Sequence, residues 1–192
     1  MNAVLSQSPR FRVHGAMPHP ELGMILFILT ELMFFVALIS SYLIIKSKVG
    51  DWVPPASVVL PVRVTALNTF FLLVSGASLF WAGIRFQSRK KASLRPYLIA
   101  IILGITFVGI QGMEWINLIS YGMTMTSGIF GACFFLLIGA HGLHAIGGVS
   151  VLVWFLPKVA SGQISCSGFR AIQYFWFFIV GVWPALYGLV YF

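Results

Sequence analysis

Charge is what this sequence has least of. Only four of its 192 residues are Asp or Glu and twelve are Lys or Arg, 8% in all, against about 25% in ordinary soluble domains. That scarcity excludes a water-soluble globular domain. It also excludes disorder, which combines high charge with low hydrophobicity. Cysteine is nearly absent as well, and Cys133 and Cys166 alone are too few for a structural zinc site. There is no Cys-x-x-Cys-His haem attachment, no phosphate-cradling glycine loop and no nucleophile elbow, so no self-sufficient active site is expected. What fills the chain instead is apolar: 59% is Ala, Val, Ile, Leu, Met, Phe, Trp, Tyr or Cys, and 16% is aromatic. That composition belongs to an integral membrane protein.

Five apolar stretches lie at about 22–45, 65–84, 97–119, 129–156 and 171–192. They cover 117 residues, so random placement would put about ten of the sixteen charges inside them; two fall there, Glu31 and Glu114. Each stretch reaches the ~20 residues that a helix rising ~1.5 Å per residue needs to cross a ~30 Å hydrocarbon core. A β-barrel would show short segments of alternating polarity, and runs such as Leu22 to Leu29 do not alternate. The expectation is an all-α membrane bundle of five transmembrane helices over 22–192, preceded by a polar tail at 1–21.

The net charge of +8 raises nucleic-acid binding, but the position of the basic residues gives them another use. Arg10 and Arg12, then Arg85, Arg89, Lys90, Lys91 and Arg95, then Lys158 and Arg170 fall on one side of the bundle. Lys46, Lys48 and Arg63 fall on the other. Nine against three places the N-terminus in the cytoplasm and the C-terminus outside. The tail has no apolar run before Leu22 and reads as a retained cytoplasmic lead-in rather than a signal peptide. Pro54, Pro55 and Pro61 suggest a stiff first connection. Ser161, Gly162, Ser165, Ser167 and Gly168 suggest a flexible fourth one. Cys133, near the outer end of the fourth helix, and Cys166, in the inner loop after it, are then too far apart for a disulfide.

Polar groups inside the helices are costly and mark either function or helix contact. Glu31 stands nine residues into the first stretch, about 14 Å from its inner end. A carboxyl at that depth is expected to be protonated or hydrogen-bonded, and both a proton-linked role and a helix-gluing role remain open. His141 and His144, at i and i+3 on the fourth helix, reach a comparable depth, so a contact from Glu31 to either is feasible. A metal or haem site there would need further ligands, and the Glu-x-x-His pairing of di-iron bundles is absent. Glu114, with Gln111 one turn earlier and Trp115 and Tyr121 nearby, suits an interfacial hydrogen-bonded cluster that fixes packing. Asn68, Ser75 and Ser78, with Gly76 and Gly83, form a polar and small-residue stripe of the kind that serves helix contact.

Four local strings, in order, resemble subunit III of the haem-copper respiratory oxidases, the cytochrome c and quinol oxidase family. Gly23 to Phe35, containing Thr30-Glu31-Leu32-Met33-Phe34-Phe35, is similar to that family's Ser-Glu-x-x-Phe-Phe helix. Leu67-Asn68-Thr69 through Ser75-Gly76, Gln111-Gly112-Met113-Glu114-Trp115 and Gly139-Ala140-His141-Gly142-Leu143-His144 resemble its later segments. The last helix departs from the pattern, with Phe177 where the family has histidine and Val180 where it has aspartate.

The resemblance implies the five-helix form, in a V of two and three helices with phospholipid in the cleft, where Glu31, Trp81, His141 and His144 would lie. It implies packing on subunits I and II, which carry haem and copper, and no cofactor in this chain beyond bound phospholipid. It further implies support of proton uptake and turnover stability, and an energy-transducing membrane, here a bacterial plasma membrane; the departure at Phe177 and Val180 admits a divergent branch such as an oxidase in a larger respiratory supercomplex. No nucleic-acid partner is expected. Rival readings are a quinol oxidase subunit III, an accessory protein of a nitric oxide reductase, and a small proton-linked transporter, the last disfavoured by the lack of an evident inverted repeat.

Overall fold

The structure is a computed structural model and describes residues 19–50, 52, 61–88 and 90–192. Most of the expected tail, with Arg10 and Arg12, lies outside the described residues, as do Pro54, Pro55 and Arg89. Five long helices make up nearly all of the rest: α1 (His19–Lys48), α2 (Val62–Ser88), α3 (Leu94–Ser120), α4 (Ile129–Ala160) and α5 (Cys166–Tyr191). A short 3-10 turn, Lys90–Ser93, leads into α3, and no strand occurs among the described residues. All five helices are long and apolar enough to cross a membrane. They outrun the apolar stretches because their ends carry the interfacial charges, among them Lys46 and Lys48 on α1, Arg85 on α2 and Lys158 on α4.

The turns show why the chain reverses where it does. After α3, Gly122 takes a left-handed φ of 87°. The amide of Met123 then donates to Leu118 O, and that of Gly122 to Ile119 O, both at 3.0 Å. After α4 the same closure recurs at Gly162, with φ 68°: Gln163 N donates to Lys158 O at 2.9 Å and Gly162 N to Val159 O at 3.1 Å. A residue with a Cβ is disfavoured at either position, which is why glycine ends both helices. The fourth connection, whose composition suggests flexibility, is thus a hydrogen-bonded turn. It continues into Ser165, whose hydroxyl accepts from Gly168 N at 3.0 Å and caps α5. Cys166 is therefore the first residue of α5 rather than part of a loop. It and Cys133, near the start of α4, are both free.

Helices α2 to α5 form one tight bundle, with α5 against both α2 and α4. Lipid tails are as apolar as leucine, so helices in a bilayer associate through close packing and polar contacts rather than by escaping water. Two tryptophans of α5 supply both. Trp176, 1% exposed, fills the notches left by Gly104 and Gly148, where an added Cβ would lie 2.9 Å from its ring. Its indole nitrogen donates to Ser75 Oγ at 3.1 Å, and Ser75 in turn donates to Ala100 O at 2.7 Å. Two turns on, Trp183 donates to Thr69 Oγ1 at 2.8 Å and meets the Phe107 ring edge-on.

Helix α1 stands apart. It rests on α5, touches α4 lightly and does not touch α2. The division is therefore four helices and one, not the two and three that the resemblance implies. The reason is in α1 itself: its glycine, Gly23, faces nothing within 4 Å, so it offers no notch for another helix to enter.

Candidate functional site at mid-membrane

The seam between α1 and α4 holds a polar contact halfway along both helices. Glu31 Oε2 lies 2.8 Å from His144 Nε2, and each side chain is 20% exposed. The other ring nitrogen, Nδ1, lies 2.7 Å from Ala140 O. A carbonyl only accepts, so Nδ1 carries a hydrogen. The Nε2 to Oε2 contact then holds one proton in one of two ways: neutral imidazole accepts it from a carboxylic acid, or imidazolium donates it to a carboxylate. Both forms are neutral as a pair, which is the condition for keeping two titratable groups in hydrocarbon at modest cost. Phe35, 1% exposed, walls the contact with its ring centroid 5.1 Å from that of His144. The arrangement can hold a proton and move it between two atoms without changing net charge.

His141 is not part of this pair. It turns into the bundle, 1% exposed, among the rings of Trp183 at 4.9 Å, Phe107 at 6.2 Å and Phe35 at 6.3 Å. Neither of its ring nitrogens has a hydrogen-bond partner among the described residues. Gln111 is buried too, and makes no well-formed hydrogen bond among the described residues. The Tyr191 hydroxyl faces it and Thr65, with Glu114 nearby, yet without hydrogen-bonding geometry to Gln111. The cluster expected at Gln111 and Glu114 is therefore a packed group in which Gln111 makes no hydrogen bond. Asn68 and Ser75 do bridge helices, with Asn68 Nδ2 donating to Phe107 O at 3.1 Å. Trp81 is 57% exposed on α2, under the Arg85 guanidinium at 4.9 Å. Because α2 touches neither α1 nor α4, Trp81 does not join Glu31 and His144 in one cleft.

The open valley in this fold lies elsewhere, floored by α5 between α1 and α2. Phe177 divides it. One groove, of about 450 Å³, runs along Ile25, Ile28 and Leu29; the other, of about 370 Å³, runs along Leu73, Gly76 and Phe80. Val180 lines the second and fits against Gly76, with its Cγ1 3.1 Å from where a Cβ would stand. Among the described residues no three His, Cys, Asp or Glu side chains gather as a metal-binding group.

The sequence model of the family described as cytochrome c oxidase subunit III matches residues 13–192. The chain belongs to that family. Relatives include the cytochrome c oxidase subunit 3 of Ornithorhynchus anatinus, 34% identical over 88% of this chain and 67% of its own length. That of Rhipicephalus sanguineus is 33% identical over 94% of this chain and 73% of its own length. A bacterial relative, the probable cytochrome c oxidase subunit 3 of Mycobacterium leprae, is 30% identical over 90% of this chain and 87% of its own length. The family and the five spanning helices together make this a multi-pass membrane protein.

Several structural residues escape a reading of the sequence. Gln173 donates to Leu79 O at 2.8 Å and occupies the notch at Gly83, and Tyr97 donates to Leu152 O at 2.9 Å. Glu21, buried on α1, meets Arg170 Nε of α5 at 3.4 Å. Only the last pair has opposite charges that could have prompted a search, and 149 residues separate them in the chain.

Proposed function

We propose that this chain serves as the non-catalytic subunit III of a proton-pumping haem-copper terminal oxidase of the cytochrome c oxidase type. It packs on subunit I, with subunit II in the same complex; haem and copper reside in those partners. The observation that carries the reading beyond family membership is the Glu31 and His144 contact of 2.8 Å at mid-membrane. A carboxyl and an imidazole sharing one proton form a neutral unit that can take a proton on one side and release one on the other, which suits support of proton uptake by a neighbouring catalytic subunit.

Two further features agree with that role. The outward face of α1 exposes Leu26, Met33 and Val36, an apolar surface suited to subunit I or lipid. The grooves beside Phe177 have the open, apolar form that phospholipid acyl chains require. The excess of basic residues on one side puts the N-terminus in the cytoplasm, here of a bacterial cell, and the same apolar faces allow entry into a respiratory supercomplex.

The test is Glu31→Ala, with Glu31→Gln beside it, in the assembled oxidase. Turnover lifetime and protons pumped per electron are both expected to fall for Glu31→Ala. Unchanged values of both would reduce Glu31 to a packing residue.

A further inference from the structure

We propose that the facing middle stretches of α3 and α4 hold a binding site for a small, neutral, lipid-soluble molecule with a ring-sized, hydroxyl-bearing head, of phenol or quinol type. Between those helices lies a cavity of about 140 Å³, lined among others by Phe107, Gln111, Trp115 and His141. Nine buried side-chain nitrogen or oxygen atoms lack a hydrogen-bond partner among the described residues. Five of them, both amide atoms of Gln111, the indole nitrogen of Trp115 and both ring nitrogens of His141, belong to residues lining this one cavity; Gln111 also faces the Tyr191 hydroxyl, so Trp115 and His141 are the groups left without a partner among the described residues. Native proteins leave few such groups, and each calls for a missing partner. The other four are scattered singly over Glu21, Trp52, Asn68 and Tyr191, while Ser75, Gln173, Trp176 and Trp183 all make hydrogen bonds between helices.

The chemistry of the lining selects the occupant. Apart from those three side chains and the Trp183 indole, the wall is aliphatic, aromatic or glycine, so water alone would find carbon on most sides. The volume is close to that of an engineered cavity of about 150 Å³ that holds benzene. Gln111 and His141 each offer both a donor and an acceptor, and Trp115 adds a donor, which matches a hydroxyl. No charged side chain lines the space, so a charged head is excluded. Entry is from hydrocarbon. Leu143 and Ile146, at the cavity edge, are 72% and 51% exposed on the outer surface, and Gly112 has nothing within 4 Å of where a Cβ would stand. The Glu31 and His144 pair lies outside this site, so the two can fail separately.

The experiment uses the full chain, in the complex with which it purifies, in phosphatidylcholine nanodiscs, with empty nanodiscs as reference. Fluorine NMR relaxation follows titration with 4-fluorophenol and, separately, with fluorobenzene. The expected result is a saturable 4-fluorophenol component, with fluorobenzene roughly fivefold weaker for want of the hydroxyl. Gln111→Leu should remove that difference. Gly142→Leu, which fills the cavity, should abolish both. Ile146→Trp, which plugs it from the exposed side without needing core volume, should do the same if Gly142→Leu fails to fold. No saturable component, equal binding of the two probes by the unaltered chain, or binding that survives the plug overturns the proposal.

Discussion

Helix α1 and the α2 to α5 bundle are built from the same apolar alphabet and held in different ways. The most apolar span of α1 is 6% buried within the structure, against 39% for each of the other four helices. The bundle locks through notches and cross-helix bonds: Trp176 enters the gaps at Gly104 and Gly148, and the Trp176 and Trp183 nitrogens bond across to Ser75 and Thr69. Helix α1 has no such notch and is held at three levels. Glu21 meets Arg170 at 3.4 Å near its start, Glu31 meets His144 at 2.8 Å in the middle, and Tyr42 donates to Leu189 O at 3.4 Å near its end. Aromatic contacts from Phe27 to Phe175 and from Phe35 to Phe178 fill in between. In lipid, exposed apolar surface carries no penalty, so a helix can stay attached through a few polar points. The titratable pair therefore sits on the seam of the helix that the fold commits least.

The contrast is broken most strongly by filling a notch. At Gly148 an added Cβ would stand 2.5 Å from Ile179 Cδ1 and 2.9 Å from the Trp176 ring. Gly148→Leu is expected to destabilise the bundle by about 3 kcal/mol or more, since neither neighbour can yield within the packed core. The matching change on α1, Gly23→Leu, enters open space and should stay within about 0.5 kcal/mol. Unfolding of both variants in mixed micelles, followed by circular dichroism, checks the pair. Equal losses would mean that α1 is packed as tightly as the rest.

Next in size is the seam itself. Glu31→Ala should weaken α1 attachment by about 1–2 kcal/mol, near the upper range for a hydrogen bond between membrane helices, while leaving bundle unfolding unchanged. Distances between spin labels on α1 and α4 should broaden in that variant and stay narrow in Gly23→Leu. A double-mutant cycle with His144→Gln separates the pair from general loosening: coupling near zero would show that the 2.8 Å contact contributes nothing to holding α1.

How much of this was legible in the sequence follows from the same contrast. The five spans and the depth of Glu31 could be read because a charge in an apolar run stands out against its neighbours. That His144 rather than His141 would meet Glu31 could not, since two histidines at i and i+3 share a face and only the rotation of α4 decides between them. The separation of Trp81 from that pair was hidden for a related reason: it depends on which helices touch, and hydropathy is blind to that. The ordered turn at Gly162 was misread because glycine and serine look alike in a flexible linker and in a helix cap. The distinction lies in a left-handed φ and two amide bonds that only the fold supplies.

The smallest expected effect sharpens the comparison best, because it sets the same chemistry in both regions. Tyr97 in the bundle and Tyr42 on α1 each donate a hydroxyl to a backbone carbonyl of another helix, to Leu152 O at 2.9 Å and to Leu189 O at 3.4 Å respectively. The first is a well-formed bond; the second is beyond the usual range for O–H···O contacts. Tyr97→Phe should cost about 1 kcal/mol, the usual net worth of a well-formed buried hydrogen bond, with Leu152 O keeping its partner within α4. Tyr42→Phe should cost about 0.3 kcal/mol, since a weak bond is lost while its ring contact with Trp52 at 5.3 Å is kept. Both are measured by the same unfolding assay, and the order matters more than either value. If Tyr42→Phe proved the costlier, the end of α1 would be a true anchor, and the helix would be fixed at its ends rather than at the proton-sharing pair.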